Sequence, residues 1–166
     1  LRGLLPEGSL ARPLSYHPRG DPGTPERLLM THRRRSLVLF GDYGCGKTTW
    51  ARSLGNHIYF GSQFSGRVAL RGIQNAEYAI FDDWKGGLPM LPGYKDWLGC
   101  QWHVSVRKLH HDAELVEWGR PCIWLCNKDP RILTNLRDDI DWAWMERACI
   151  FVEVTGTLAT FHANTT

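Results

Sequence analysis

The sequence contains no apolar run that approaches the roughly 18 consecutive residues of a membrane-spanning helix. It has no internal repeat, and its amino-terminal stretch "LRGLLPEGSLARPLSYHPRG" does not resemble a secretory signal peptide. These absences argue against a membrane protein, a repeat array and a secreted precursor. We therefore expect a protein without a membrane partner.

The sequence has five cysteines in 166 residues. An odd number without a secretory leader indicates reduced thiols in an intracellular setting, not a disulfide framework. Cys122 and Cys126 stand four positions apart in an apolar run, whereas a zinc site would need closer spacing and a second pair of ligands. We expect both to be buried thiols.

Neither sign of charge dominates, since 20 Lys and Arg accompany 17 Asp and Glu and the net charge is +3. This balance permits an acidic partner without demanding one. Aromatic residues, in contrast, are plentiful. The eight tryptophans are expected mainly to fill a core.

The composition divides the chain into three segments. Residues 1–35 are rich in Pro, Gly and Arg and are predicted to be a linker or a poorly ordered arm. Residues 36–155 are predicted to form one domain, and residues 156–166 a C-terminal tail. The run "HRRR" at 32–35 is typical of a solvated surface, with a nucleic-acid or nuclear-import role as the alternative.

Within residues 36–155, short apolar runs alternate with helical patterns, which predicts an α/β fold with a doubly wound, mainly parallel sheet. Helices are predicted at 47–54, with Gly55 as a C-terminal cap, and at 139–148. The predicted strands are 36–40, 57–60, 76–81, a hairpin formed by 101–106 and 113–118, then 121–126 and 149–154.

The stretch "GDYGCGKT" follows the first strand and opens the first helix, and it fits the Walker A pattern Gly41-x4-Gly46-Lys47-Thr48. Glycines let successive backbone N–H groups approach phosphate oxygens closely. Lys47 is predicted to reach the β and γ phosphates of ATP, and the Thr48 hydroxyl to bind Mg²⁺. Asp42 is expected to point to solvent. We assign nucleotide binding to Gly41, Gly44, Cys45, Gly46, Lys47, Thr48 and Thr49.

Two carboxylates follow the apolar run "AEYAIF". A Walker B strand delivers a carboxylate to Mg²⁺ beside the phosphate loop, and a second acid can deprotonate the attacking water. We assign Asp82 to the metal and Asp83 to the water. Because successive strand residues face opposite sides, both can serve only if the chain bends there. Taken alone, the pair would be ordinary turn residues.

The stretch "PCIWLCNKDPR" places Asn127 at the end of another predicted strand. Ligands of open α/β sheets bind outside the carboxyl ends of strands, so Asn127 is predicted to face the same crevice as Lys47 and Asp82. Its amide is suited to contact the γ phosphate or to hold the attacking water. By itself, it would be a turn residue before Asp129 and Pro130.

Four segments in the same order resemble the helicase part of replication-associated proteins from small circular single-stranded DNA viruses, of the geminivirus and genomovirus type. These segments are "SLVLFGDYGCGKTTWARSLG", "AEYAIFDDW", "YKDWLGCQWHVSV" and "WGRPCIWLCNKDP". The resemblance implies a superfamily 3 helicase, an AAA+-like P-loop ATPase that assembles as a ring (a hexamer) and moves on single-stranded DNA. It also implies work in the host nucleus.

The resemblance implies roles for further residues, and one domain of the relatives has no counterpart in residues 1–35. Relatives carry an N-terminal nicking domain with a histidine pair and a tyrosine, which nothing in residues 1–35 supplies. The hairpin residues Arg107 and Lys108 are the candidates for DNA contact, with residues 33–35 as further candidates. Asp112, Glu114 and Glu117 make this hairpin more acidic than is usual in the family. A ring ATPase completes its site with an arginine from the neighbouring subunit, for which Arg147 is the candidate and Arg131 and Arg137 are rivals.

Two alternative functions remain at this stage. A P-loop kinase for a small metabolite would share the glycine-rich loop but would need a lid with arginines and an acceptor pocket. A non-catalytic relic of a viral protein would bind DNA or partners without turnover.

Overall fold

The computed structural model describes residues 34–84, 88–91, 93–132 and 140–158. Of the predicted arm, residues 34 and 35 are described, whereas residues 1–33, including Arg33, lie outside the described residues. Arg137 and residues 159–166 of the predicted tail also lie outside them. Strands are β1 (Ser36–Gly41), β2 (His57–Gly61), β3 (Tyr78–Asp82), β4 (His103–Arg107), β5 (Ala113–Glu117), β6 (Cys122–Cys126) and β7 (Cys149–Val154). Helices are α1 (Lys47–Arg52), α2 (Gly66–Gly72), α3 (Tyr94–Leu98) and α4 (Trp142–Ala148), with 3-10 turns at Leu88–Met90 and Pro130–Ile132.

Five strands form one sheet in the order β2-β3-β6-β1-β7, and every neighbouring pair is parallel. Strands β4 and β5 pair separately as an antiparallel hairpin. This arrangement confirms the predicted α/β class with a parallel sheet flanked by helices. Because all five strands run the same way, their carboxyl ends meet at one edge.

The sheet is covered on both faces, which explains the continuous apolar runs of its strands. In β1, Leu37 and Leu39 face a cluster that includes Ala51 of α1, while Val38 faces a second cluster built from α2, α3, α4 and the hairpin. Alternate residues of one strand therefore serve two separate cores.

Aromatic rings dominate the second of these cores. Trp97 is fully buried, and the ring centroids of Phe60, Phe81 and Trp118 lie 6.0, 6.0 and 5.1 Å from its own. Three of the eight tryptophans are buried, at positions 97, 118 and 124, and the others are partly buried. Core filling is thus the main use of tryptophan, as expected.

Several local expectations need correction. Helix α1 ends at Arg52 with Ser53 as its cap, so the assignment of Gly55 as a cap was wrong. The Glu77 carboxylate approaches Gly55 closely, but it is the end of a flexible side chain and can move aside. Helix α4 begins at Trp142, not at 139, because the Asp141 side chain accepts a hydrogen bond from the Trp144 N–H at 3.0 Å.

The five cysteines are all free. Cys122 is fully buried, as expected, whereas Cys126 at the sheet edge is partly exposed. Within the part of the chain that the structure describes, no helix has both the length and the apolar character that crossing a bilayer requires.

Two leucines provide a matched test of the core. Leu98 of α3 is fully buried, while Leu109 in the hairpin turn is 82% exposed. We expect Leu98→Ala to lower the free energy of unfolding by about 2–5 kcal/mol, because the cavity it leaves adds to the lost burial. Leu109→Ala should change it by less than about 0.5 kcal/mol. Urea unfolding measures both, and equal effects would contradict the described packing.

Candidate functional site

The glycine-rich loop (residues 41–48) leaves the carboxyl end of β1 and leads into α1. A Cβ at Gly41 would lie 2.5 Å from the Val154 carbonyl oxygen, so only glycine fits beside β7. Gly46 has a left-handed φ of 85°, a conformation that favours glycine. The loop therefore depends on bare backbone at the positions that the motif specifies.

Lys47 is folded into this loop and is only 7% exposed. Its Nζ donates hydrogen bonds to the carbonyl oxygens of Gly41 and Asp42, both at 2.8 Å, and lies 3.4 Å from the Cys45 sulfur. No carboxylate of the described residues forms an ion pair with it. A nearly buried ammonium with only neutral partners is costly, and an anion would relieve that cost.

Asp82 ends β3 beside the loop. Its Oδ2 accepts one hydrogen bond from the Thr48 hydroxyl at 2.8 Å and another from the Tyr59 hydroxyl at 2.9 Å. The loop, β2 and β3 are thus joined at a single carboxylate oxygen.

Tyr59 is the residue that sequence reasoning missed. It lies on β2 opposite Ile80, one same-face step before the Gly61–Asp82 pair, and its long side chain spans that step. Burial and the neighbouring Asp82 raise the pKa of Tyr59 to about 12. Finding it required knowing that β2 pairs with β3, which no motif in the sequence reveals.

Asp83 follows Asp82 with a φ of 46°, so the chain leaves the extended conformation immediately after the strand. As a result, both carboxylates line the same cleft, although successive strand residues would face opposite sides. Asp83 is exposed, whereas Asp82 is half-buried. The bend required for two acids to serve one site is present.

Asn127 is exposed and lies directly after β6, at the same edge of the sheet. Cys126 precedes it, and burial raises the pKa of that thiol well above its ordinary value, so it is a neutral group here. Asn127 and Lys128 are the polar residues directly after β6 that line the cleft.

These groups surround an open cleft of about 830 Å³. Of the residues predicted to act together, eight line it: Gly44, Gly46, Lys47, Thr48, Thr49, Asp82, Asp83 and Asn127. Gly41 and Cys45 line a second cavity of about 680 Å³ on the other side of the loop, together with Asp42, whose side chain is exposed as expected.

The donor set at this cleft suits Mg²⁺. Thr48, Asp82 and Asp83 offer hard oxygen ligands, and Mg²⁺ is usually held by one or two carboxylates together with substrate phosphates. Among the described residues, no group of three or more His, Cys, Asp or Glu could hold a metal by itself. The residues therefore fit a metal that arrives with a phosphate ligand better than a resident protein-bound metal.

Two of the arginine candidates, Arg147 and Arg131, do not line the cleft. Arg147 is exposed on α4, two residues before β7 begins, and does not line the cleft. Arg131 is held by Asp129 at 2.7 Å, and its guanidinium lies 4.5 Å from the centroid of the Phe151 ring. This ion pair lowers the pKa of Asp129 below its usual value. Arg131 is thus occupied within its own chain.

The hairpin candidates also lie outside the cleft. Arg107 ends β4 and is exposed. Lys108 follows it and forms an ion pair with Glu114 at 3.3 Å, with side chains that are 39% and 53% exposed. An ion pair that exposed contributes little stability. Arg34 and Arg35, from the basic run, donate to backbone carbonyl groups of Gly119, Glu146 and Cys149.

Three curated relatives are each called a replication-associated protein. The chain is 36% identical to that of Tobacco yellow dwarf virus over 103 residues, which are 61% of this chain and 28% of the relative. It is 34% identical to that of Chloris striate mosaic virus over 113 residues, 66% of this chain and 30% of the relative. It is 34% identical to that of Bean yellow dwarf virus over 117 residues, which are 69% of this chain and 30% of the relative.

No protein-family model matches the chain. The chain spans about 30% of the length of the curated relatives it matches, so the similarity concerns one segment of those proteins. Within that limit, the repeated match to one kind of viral protein agrees with the resemblance drawn from the four sequence segments. The chain is thus related to the replication-associated proteins of geminiviruses, of which it matches one segment.

Proposed function

We propose that this region is an ATP-hydrolysing helicase domain of a viral replication initiator, with the P-loop NTPase architecture of superfamily 3. The observation that carries the proposal is Lys47, a cation that is 7% exposed and has only neutral partners. The phosphates of ATP are the anion that best suits a lysine in a glycine-rich loop.

The proposed chemistry divides among the residues of the cleft. Lys47 exchanges its bonds to the loop carbonyls for the β and γ phosphates. Thr48 and Asp82 hold the Mg²⁺ of the nucleotide, which when bound neutralises charge on the phosphate oxygens. Asp83 takes a proton from the attacking water, and Asn127 orients that water or contacts the γ phosphate.

The same cleft supports hydrolysis better than transfer to a metabolite. No arginine among the described residues lines it, whereas a small-molecule kinase would need arginines in a lid. On this proposal, the cation that stabilises the transferring phosphoryl group comes from a second copy of the chain, with Arg147 as the candidate. A homo-oligomeric ring working in the host nucleus is part of the proposal.

Replacement of the buried lysine tests the proposal. We expect Lys47→Ala to lower the ATP turnover rate at least about 100-fold, because a charge aimed at the phosphates is lost. The midpoint of thermal unfolding should stay close to that of the parent, since Lys47 is not a packing residue. Lys95→Ala is the control, because Lys95 lies far along the chain and pairs with Asp141.

Steady-state ATP hydrolysis, measured with and without single-stranded DNA, distinguishes the outcomes. Parent-like turnover by Lys47→Ala would refute the assignment of the loop. A parent protein that binds ATP but never hydrolyses it would instead support the non-catalytic relic.

The two carboxylates should respond differently to amide replacement. Asp82→Asn should weaken Mg²⁺-dependent nucleotide binding by about tenfold or more, because a metal ligand is altered. Asp83→Asn should lower kcat by about 100-fold and leave binding nearly unchanged, because only the base is lost. Asn tolerates the left-handed φ of position 83, so the bend is retained. Nucleotide titrations and kcat measurements that show identical defects would disprove this division.

The hairpin is proposed to contact single-stranded DNA through Arg107 and Lys108. Each phosphate contact releases a counterion, so removing one positive charge should weaken binding at low salt. It should also reduce the slope of log affinity against log salt concentration by about 0.7. Binding of a labelled oligonucleotide across a salt series measures this for Arg107→Ala and Lys108→Ala, with Lys95→Ala as the control. Unchanged slopes would remove the hairpin from the DNA path.

A further inference from the structure

We propose that Tyr59 is a positioning residue that fixes the Asp82 carboxylate for the metal ion of the bound nucleotide. The inference rests on the proposed function and adds a residue that none of the recognised motifs contains. Tyr59 acts through Asp82 and is not proposed to contact the reacting atoms.

The geometry around Asp82 carries this assignment. Both donors, the Thr48 and Tyr59 hydroxyls, bond to the same oxygen, Oδ2. A carboxylate held by one donor can still rotate about its terminal bond, since that torsion is broad. Two donors arriving from different elements, α1 and β2, restrict this rotation and determine which oxygen faces the cleft.

Tyr59 is itself held in place by the helix that follows the loop. The guanidinium of Arg52 lies 4.6 Å from the centroid of the Tyr59 ring. Arg52 stands one helical turn after Thr48, so both residues lie on the same face of α1. Helix α1 therefore supplies one donor to Asp82 directly and supports the second through the ring contact.

The Tyr59 hydroxyl donates to the Asp82 carboxylate at 2.9 Å, and a phenol hydroxyl is an ordinary hydrogen-bond donor at neutral pH. Hydrogen-bonding groups that orient metal ligands commonly change metal affinity by about 10–100-fold when they are removed.

Tyr78 provides a matched control on the neighbouring strand. Its side chain belongs to the same core cluster, and its pKa is likewise raised to about 12 by burial. However, its hydroxyl donates to the backbone carbonyl of Ala51 at 2.6 Å and does not contact Asp82. Tyr78→Phe and Tyr59→Phe thus each remove one hydrogen-bonded hydroxyl and keep the ring.

The experiment is a fluorescence titration of the whole chain with a labelled, non-hydrolysable ATP analogue, in Mg²⁺ and in EDTA. The Kd in EDTA divided by the Kd in Mg²⁺ measures the contribution of the metal to binding. We expect Tyr59→Phe to reduce this ratio by about 10–100-fold with its EDTA affinity unchanged. Tyr78→Phe should keep the parent ratio even if its thermal stability falls.

The possible results distinguish a failure of the proposed role of Tyr59 from a failure of the proposed function. If the parent binds more tightly in Mg²⁺ and Tyr59→Phe keeps that advantage, the role of Tyr59 is wrong while the proposed function stands. If Tyr59→Phe and Tyr78→Phe reduce the ratio equally, the effect is general destabilisation and the role is again wrong. If the parent binds no nucleotide in either condition, the proposed function fails and this inference fails with it.

Discussion

The parallel pairing of β1, β6 and β3 is the constraint on which the site depends. Phe40 of β1 is in register with Cys126 of β6, and Leu125 is in register with Asp82 of β3. Because the three strands run in one direction, the residues after them emerge at one edge. Helices and apolar side chains cover both faces of the sheet, which leaves this edge as the place where polar side chains can gather without losing contact with water.

The glycine-rich loop is also supported from behind. After β7 the chain turns toward the loop, where the Leu158 N–H donates to the Cys45 carbonyl at 2.8 Å and the Leu158 side chain is buried beside Cys45. A Cβ at Gly46 would lie 3.1 Å from the Leu158 carbonyl oxygen. The loop that buries Lys47 is therefore sandwiched between its cleft and the segment after β7. Such backing helps the loop to keep one shape.

Local sequence patterns predicted what is encoded locally and missed what depends on pairing. The Walker A spacing, the acids after β3 and Asn127 after β6 each follow an apolar run, so a window of ten residues reveals them. Tyr59 became visible only once β2 lay beside β3. Helices α2 and α3 have seven and five residues and were not predicted, whereas the similarly short α1 was expected because it follows the glycine-rich loop. Gly66 opens α2 because a Cβ there would collide with the Arg107 carbonyl group, a contact that no local pattern encodes.

The arginines show how the fold constrains the proposed mechanism. Arg131 is the arginine nearest along the chain to Asn127, yet Asp129, Glu146 and the Phe151 ring occupy its guanidinium. Freeing it would cost an ion pair and a ring contact in the same chain. Arg147 forms no ion pair among the described residues, although it acts electrostatically on Asp141, and it does not line its own cleft. If hydrolysis needs an arginine, Arg131 is thus a costly source, and the proposed supply of Arg147 by another copy would tie catalysis to assembly.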